Sequence, residues 1–466
     1  MVALLAPLLL LAVPQDLGVD AFAAARVDAA VRAEDLEATV RFLASDAMRG
    51  RETGSTALMA AADGLARRLA AAGLEGGGDD GGFLQAVPLA SVRYSAVPRL
   101  TLVLDGGERR EAIWGVDFDG ATGLYGGDAL AVAVARAEGE VPEAQAGTAL
   151  FLDARGRAGF ELARAVGDDW ALLVRRGSDR PGRAASLEPP RERRDRGEPP
   201  SVTVRGDLPE LFAAGRVERV EFALEGERRE PPAANVIGVL RGTGTPDRPE
   251  LAEQAIVFSA HYDHIGVDER APEGVDAIHN GADDDASGCA AVLELAEAFA
   301  AGPPPARTLV FLFATGEEIG LVGTNFYLDH PTVALEHTVC NLNFEMIGRP
   351  DALAGGPGKL WLTGFERSNL GPAFAAAGLA LVPDPRPDQN FFQRSDNYAF
   401  ALRGIVAQTL SSYDLHEDYH KVSDEADTLD WAHLAAAVEA AWIGARALAD
   451  GSIDPAWLPG GEPQRR

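Results

Sequence analysis

Cysteine is almost absent from this sequence, which limits how the chain can be cross-linked and how it can bind a metal. The 466 residues include two cysteines, Cys289 and Cys340. Two cysteines do not make a disulfide framework, and these two lack the close spacing of a thiolate zinc site. We expect free buried thiols, with one disulfide bond as the alternative. Any metal is then bound by histidine and carboxylate groups.

Positive charge and long hydrophobic runs are also scarce. The chain has 42 Lys and Arg residues against 71 Asp and Glu residues, which gives a formal net charge of −29. Nucleic-acid-binding proteins usually present a basic face, so no nucleic-acid partner is expected. No internal apolar run reaches the roughly 18 to 20 residues that span a bilayer, which excludes a protein with several membrane spans. The hydrophobic content of 47% excludes wholesale disorder.

The start of the chain carries a short apolar segment. Residues 1–13 have about the length of the hydrophobic part of a signal peptide and are too short for a membrane span. The basic residues that usually precede such a segment are missing. We predict that residues 1–24 are an export signal and that the protein is periplasmic or extracellular. A lone apolar helix is the alternative.

The rest of the chain is long enough for two or three domains. Residues 25–95 and 233–450 are predicted to form one α/β domain, because helical spacing over 34–75 is followed later by alternating apolar strands and helices. This alternation is typical of a mostly parallel mixed sheet between helices. Residues 96–232 carry short alternating apolar runs and predict an inserted β-rich domain. Residues 451–466 are predicted to be a C-terminal tail.

Histidine and acidic residues cluster at the ends of the predicted strands. Ligands of open α/β sheets bind beyond the carboxyl ends of the strands, so these positions are candidates for a site. The predicted strands are residues 235–240, 255–260, 308–314, 338–344 and 404–410. Histidine nitrogen and carboxylate oxygen are suitable zinc ligands, and a carboxylate can be shared by two metals about 3.5 to 4 Å apart. The pattern therefore predicts a metal site at one edge of the sheet.

Five motifs carry a resemblance to a known family. They are His-Tyr-Asp-His at 261–264, Gly-Ala-Asp-Asp-Asp-Ala-Ser-Gly at 281–288, Gly-Glu-Glu at 316–318, Asn-Phe-Glu-Met-Ile-Gly-Arg at 343–349 and Asp-Tyr-His-Lys-Val-Ser-Asp at 418–424. Together, in this order, they resemble the co-catalytic zinc exopeptidases, which include secreted bacterial aminopeptidases and glutamate carboxypeptidases. The resemblance implies the zinc exopeptidase fold, and the insertion resembles a protease-associated domain.

The resemblance also implies a set of metal ligands. His261 would bind one metal, Asp284 would bridge two, and Glu318 and His420 would complete the other. Glu345 stands where the family usually has Asp, so it adds one methylene to the fifth ligand. Two Zn²⁺ ions are expected, although sites of this composition also accept manganese or cobalt.

Further roles follow from the same resemblance. Glu317 would be the general base toward water, and Tyr419 would hydrogen-bond the tetrahedral intermediate. Asp263 would orient His261 from behind. His264 and His416 are not assigned as ligands. The resulting prediction is a metallo-exopeptidase acting on peptides, specifically an aminopeptidase.

Three alternatives share the fold. A carboxypeptidase of the glutamate type needs basic residues for the substrate carboxylate, and Arg394 keeps this reading open. A glutaminyl cyclase works with one zinc, and the retained His261 argues against it. A non-catalytic receptor-like relative, such as the transferrin receptor ectodomain, loses the ligands and the base that this chain retains. The sequence leaves the substrate preference and the oligomeric state open.

Overall fold

The computed structural model divides into two compact units. It describes residues 17–24, 30–136, 141–145, 147–166, 169–182, 193–194, 198–269 and 271–464. The first unit comprises Met1–Pro88 and Pro232–Arg466, and the second unit comprises Leu89–Pro231. The sequence analysis placed the corresponding limits at 95/96 and 232/233. The predicted export signal lies mostly outside the described residues.

The helices and strands of the described residues are numbered along the whole chain. The helices are α1 (Val19–Ala23), α2 (Ala33–Leu43), α3 (Thr56–Ala71), α4 (Gly156–Ala165), α5 (Leu208–Ala213), α6 (Gly288–Ala301), α7 (Val322–Asp329), α8 (Leu370–Ala377), α9 (Asn397–Ala401) and α10 (Trp431–Ala449). The strands are β1 (Glu75–Gly76), β2 (Leu84–Ala86), β3 (Ser91–Tyr94), β4 (Arg99–Leu104), β5 (Arg109–Ala112), β6 (Phe118–Thr122), β7 (Leu130–Arg136), β8 (Thr148–Asp153), β9 (Leu172–Arg176), β10 (Arg193–Arg194), β11 (Ser201–Val204), β12 (Val217–Ala223), β13 (Gly226–Arg229), β14 (Ala234–Leu240), β15 (Ala255–His261), β16 (Gly266–Val267), β17 (Ile278–His279), β18 (Thr308–Ala314), β19 (Thr338–Phe344), β20 (Leu360–Leu362), β21 (Leu381–Pro383) and β22 (Val406–Ser411).

A nine-stranded mixed sheet forms the centre of the first unit. Its order is β1-β14-β18-β15-β19-β22-β20-β21, and β2 also pairs with β14. The four central strands, β18, β15, β19 and β22, run parallel to one another. Their carboxyl ends therefore lie at one edge of the sheet. The five strands expected from apolar runs are all present within one or two residues of their predicted limits.

Both faces of this sheet are covered by helices. Every residue of β15 and β18 is buried, as expected for parallel strands covered on both sides. Alternate side chains of β18 point to opposite faces: Phe311 packs in the core that contains α3, α6 and α10, whereas Leu312 packs in the core that contains α7 and α9. This is the mixed α/β sandwich that the sequence analysis predicted.

The helical region near the start of the first unit is interrupted, although its spacing predicts continuous helix over 34–75. α2 and α3 are separated by a turn at Asp46–Arg51. Gly50 has a φ of 67° and approaches another loop so closely that a Cβ atom there would lie 2.5 Å from the main-chain oxygens of Gly266 and His279. The tight packing of this turn against distant chain breaks the helix, and local spacing does not reveal it.

The second unit is rich in β-structure. An eight-stranded sheet of order β5-β4-β12-β7-β8-β9-β11-β6 contains a parallel centre, and β3 pairs with β10 and β13 separately. Phe151 and Phe212 stack in its core with ring centroids 4.9 Å apart. Part of the segment before β11 lies outside the described residues.

Several smaller expectations can be compared with the structure. Cys289 and Cys340 are free and buried, as expected. Residues of the C-terminal tail pack on the first unit: Trp457 donates a hydrogen bond from Nε1 to the Gly404 carbonyl at 3.0 Å. Among the described residues, no helix combines the length and the apolar character needed to cross a membrane.

Candidate metal centre

Three predicted ligands meet around the carboxylate of Asp284. His261 is the last residue of β15, and its Nε2 atom lies 3.2 Å from Asp284 Oδ1. His420, in the loop after β22, places Nε2 3.2 Å from Asp284 Oδ2 and 3.3 Å from Glu318 Oε2. Each oxygen of Asp284 therefore faces a different histidine. This is the arrangement that a shared carboxylate needs.

The Asp284 loop is held by a residue to which the sequence analysis gave no role. The carboxylate of Asp424 accepts hydrogen bonds from the main-chain N–H groups of Asp283 and Asp284, each at 3.1 Å. Asp283 in turn accepts from Gly348 N at 2.7 Å, and His416 Nε2 lies 3.0 Å from its carboxylate. His416 thus supports the loop and does not face Asp284. The position of Asp424 within the last sequence motif was the one available signal.

The Glu317–Glu318 turn is held by Asp263. The Asp263 carboxylate accepts hydrogen bonds from the main-chain N–H of Glu317 at 3.1 Å and from Thr53 Oγ1 at 2.9 Å. Toward His261, Asp263 presents its main-chain oxygen, 3.1 Å from Nδ1, whereas its carboxylate is 3.8 Å from that atom. The Asp263 side chain therefore positions the acidic turn more directly than it positions the imidazole.

The ionisable groups in this region shift one another's pKa values. Burial raises the pKa of Glu317 well above its usual value. The nearby charge of His261 opposes this upward shift, and the carboxylate of Glu345 reinforces it. Burial alone would raise the pKa of Asp284, but hydrogen bonds to His261 and His420 bring it well below the usual value. Two nearby acids thus have pKa values that are shifted in opposite directions, a pattern frequent at catalytic sites.

Glu345 follows β19 and lies slightly apart from the other predicted ligands. Its Oε2 atom accepts a hydrogen bond from Asn343 Nδ2 at 3.4 Å. Burial raises its pKa well above the usual value, and the charge of His261 acts against this shift. No ion pair joins Glu345 to a histidine within the described residues. The structure therefore brings Glu345 near the centre without placing it against Asp284.

A further histidine, unassigned from sequence, lies inside the cluster. His264, Asp284 and Glu318 offer one ligand atom each, and these atoms all lie within 4.8 Å of one another. His264 and Glu318 also carry buried ring or carboxylate atoms that make no hydrogen bond in the described part of the chain. Nitrogen and carboxylate donors that converge without partners are suited to a divalent cation such as zinc.

Arg51 connects the loops of this centre from behind. Its fully buried guanidinium donates hydrogen bonds to four main-chain oxygens, those of Tyr262 (2.8 Å), Leu43 (2.5 Å), Asn280 (2.7 Å) and Gly281 (3.0 Å). Tyr262 lies between His261 and Asp263, and Gly281 begins the Asp284 loop. One side chain thus fixes the distance between the two loops.

A pocket of about 390 Å³ opens beside Glu345 and Tyr419. Four of its eleven lining residues are aromatic. Trp361 and Phe391 have ring centroids 5.1 Å apart, and the centroid of Phe391 is 5.8 Å from that of Tyr413. Tyr419 stacks on His420 with centroids 3.9 Å apart. Such a lining is suited to an apolar group held next to the metal-binding residues.

The exposed Arg394 guanidinium also lines this pocket, 5.0 Å above the Phe391 ring. No carboxylate among the described residues forms an ion pair with it. The pocket therefore offers one positive charge to a bound molecule.

Comparisons with known proteins agree with this geometry. Residues 235–443 match Peptidase family M28, which confirms the resemblance to zinc exopeptidases drawn from the five motifs. A "Probable zinc metalloprotease" of Pyricularia oryzae is 35% identical over 147 residues, which are 32% of this chain and 25% of that protein. A "probable leucine aminopeptidase 2" of Aspergillus oryzae is 30% identical over 209 residues, 42% of this chain and 37% of that protein. The chain thus spans well under half the length of these relatives.

A solved structure shows the same fold. The aminopeptidase from Aneurinibacillus sp. strain AM-1 has a TM-score of 0.56 and 18% sequence identity, and the match covers 90% of this chain and 94% of that chain. This similarity confirms the predicted zinc exopeptidase fold.

Proposed function

Because residues 235–443 match Peptidase family M28, we propose that this protein is a zinc-dependent exopeptidase, specifically an aminopeptidase that hydrolyses N-terminal residues from peptides. One observation carries this proposal: Asp284 lies 3.2 Å from a histidine on each side, at the strand edge where Glu317 also lies. We assign His261 and Glu345 to one Zn²⁺, Glu318 and His420 to a second, and Asp284 to both.

The chain's own groups divide the chemistry between them. Bound zinc would polarise the scissile carbonyl and lower the pKa of water at the site. Glu317 accepts the proton of the attacking water and passes it to the leaving amine, a role that suits a carboxyl whose pKa burial raises. Tyr419, at the pocket beside His420, donates a hydrogen bond to the oxygen that gains charge during attack.

The aromatic pocket supports an activity at peptide ends. It adjoins Glu345 and Tyr419 and is lined by Trp361, Phe391 and Tyr413. We propose that it holds the side chain of the terminal residue while the peptide bond lies over the metal-binding residues. The second unit is proposed to be a protease-associated domain, and residues 1–24 an export signal that directs the protein to the periplasm or the medium.

A carboxypeptidase is the second candidate, because Arg394 places in the same pocket a guanidinium that forms no ion pair with the described carboxylates. A guanidinium is well suited to bind the terminal carboxylate of a peptide. The two candidates predict trimming from opposite ends of the same substrate.

A defined peptide pool distinguishes these activities. The purified full chain is incubated with each peptide in a free and an N-acetylated form, with and without a chelator, and the products are identified by mass spectrometry. Stepwise loss of N-terminal residues from free peptides, abolished by chelator, is the expected result. Trimming of both forms from the C-terminus identifies a carboxypeptidase, and loss of ammonia from N-terminal glutamine identifies a cyclase. If protein that holds zinc yields no product, this result contradicts the proposed peptidase activity on these substrates.

A further inference from the structure

His264 is a buried imidazole with no satisfied hydrogen bond on its ring. It is 1% exposed, and within the described residues neither Nδ1 nor Nε2 has a hydrogen-bond partner. Buried polar atoms are rarely left in this condition, because each lost hydrogen bond costs free energy. The unpaired ring therefore needs an explanation.

A second buried histidine of the same unit shows the ordinary arrangement. His433 is also 1% exposed, but its Nδ1 atom accepts a hydrogen bond from Gly358 N at 2.8 Å. Its Nε2 atom lies 3.0 Å from the hydroxyl of Ser412. Burial alone thus does not prevent a histidine in this fold from finding partners on both nitrogens.

The Nδ1 atom of His264 faces the metal-binding carboxylates. It lies 2.8 Å from Glu318 Oε1 and 3.9 Å from Asp284 Oδ2. The contact with Glu318 is not aligned as a hydrogen bond, since both Nδ1 and Oε1 remain without partners. Two ligand-type atoms 2.8 Å apart that make no hydrogen bond to each other are suited to share a cation.

The ring has little freedom to turn away. The main-chain N–H of His264 donates to the Arg51 carbonyl at 3.2 Å. On its other side the ring packs against Gly281, where a Cβ atom would lie 2.6 Å from Cγ and Cδ2 of the imidazole. The orientation of Nδ1 toward Glu318 is therefore set by packing.

We propose that His264 Nδ1 is an additional ligand of the metal held by Asp284, Glu318 and His420. Zinc binds nitrogen and oxygen at about 2.0 to 2.2 Å, which places neighbouring ligand atoms of a tetrahedral site roughly 3.3 to 3.5 Å apart. His264 Nδ1 lies 2.8 Å from Glu318 Oε1 and 3.9 Å from Asp284 Oδ2, two separations that bracket that value. His420 Nε2 lies 3.2 Å from Asp284 Oδ2 and 3.3 Å from Glu318 Oε2. This inference rests on the proposed zinc-dependent function.

With His264 as a ligand, the two metals differ in their number of protein ligands and in how tightly they are bound. Four protein donors close a zinc site, whereas a catalytic zinc keeps a position open for water or substrate. The ion bound by His264 is then the tightly held one. The ion bound by His261 and Glu345 keeps the open position and exchanges more easily.

Stepwise metal binding tests the proposal. Apo-protein of the wild type, His264→Ala and His433→Ala is titrated with Zn²⁺ against a competing chelator dye, and the visible spectrum of the Co²⁺-loaded protein is recorded. His264→Ala should weaken the tighter step by about 100-fold and change the Co²⁺ spectrum, because the loss of even a supporting residue costs about 10- to 100-fold. His433→Ala, which removes an equally buried imidazole, should leave both unchanged. Wild-type affinities and spectrum in His264→Ala, or equal losses in the two variants, overturn the proposal.

A replacement ligand provides a second test. Because Nδ1 is the ring nitrogen nearer to the main chain, the sulfur of His264→Cys can approach the same metal. Thiolate ligation of Co²⁺ should add an intense near-ultraviolet charge-transfer absorption that the wild type lacks. A His264→Cys protein that binds Co²⁺ at wild-type stoichiometry without this absorption contradicts direct ligation. Loss of the proposed function is seen separately, as wild-type protein that binds zinc and trims no peptide.

Discussion

Replacing Glu294 by glutamine should stabilise the first unit at neutral pH and not at acidic pH. Glu294 lies on α6 and is 5% exposed, and its carboxylate accepts a hydrogen bond from Arg32 N at 3.1 Å. Arg68, the nearby buried cation, donates instead to Glu297, at 2.8 Å and 2.5 Å. Within the described residues, no ion pair joins Glu294 to a lysine or arginine side chain.

The magnitude follows from the pKa of this carboxyl. Burial, reinforced by the charge of Glu297, raises the pKa of Glu294 from 4.5 to about 8. Between these values the folded protein binds a proton that the unfolded chain has released, so the free energy of unfolding falls as the pH rises. Each pKa unit corresponds to about 1.4 kcal/mol, so the folded state loses about 3 kcal/mol by pH 7 relative to pH 4.5. The glutamine of the E294Q variant does not ionise, so the variant does not lose this part of its free energy of unfolding as the pH rises.

The assay is urea unfolding followed by tryptophan fluorescence at a series of pH values between 5 and 8. E294Q should be more stable than the wild type by about 3 kcal/mol at pH 7 and by little at pH 5. Glu439→Gln, an exposed position on α10, serves as the matched control and should follow the wild type throughout. If E294Q and the wild type lose stability in parallel as the pH rises, the reasoning about Glu294 is refuted.

Three further predictions concern the metal centre. Glu317→Gln should retain the fold and zinc, measured by elemental analysis, and lose about 10²- to 10⁴-fold in kcat, since it removes a general base; wild-type turnover contradicts this role. Asp424→Ala should weaken zinc binding by about 10- to 100-fold, because the N–H groups of Asp283 and Asp284 lose their acceptor; unchanged zinc titrations argue against it. Arg51→Met should lower the free energy of unfolding by about 3 kcal/mol or more, because four buried carbonyls lose a charged hydrogen-bond donor; urea midpoints equal to the wild type are incompatible with this.

The sheet could be predicted because its signals are local. β15 and β18 consist mostly of apolar residues, and a nearly continuous apolar run is typical of a strand that is buried on both faces of a parallel sheet. The edge proposed to carry the site followed from the same signals, because His261 ends β15 and Glu317 comes three residues after β18.

The supporting residues could not be predicted in the same way, because their partners lie far away in sequence. Arg51 bonds to main-chain atoms about 210 and 230 residues later, and Asp424 to a loop about 140 residues earlier. The ring of His264 packs against Gly281, a contact between loops that the sequence does not show. Glu294 lies on α6, and its burial arises where α6 packs against α2 and α3, which are far away in sequence.

The position of Arg51 in the sequence limits when the loops of the candidate metal centre can be held together during synthesis. Every predicted ligand lies between residues 261 and 420, yet the guanidinium that spaces their loops comes from the other side of the second unit in sequence. A fragment that starts at residue 232 would contain all the ligands and the base and still lack this spacer. During synthesis, Arg51 is made more than 200 residues before the loops that it contacts. Contacts between residues so far apart in sequence form slowly, because a long segment of chain must be closed into a loop. The contacts by which Arg51 spaces these loops can therefore form only once Tyr262 and Gly281 have been synthesised.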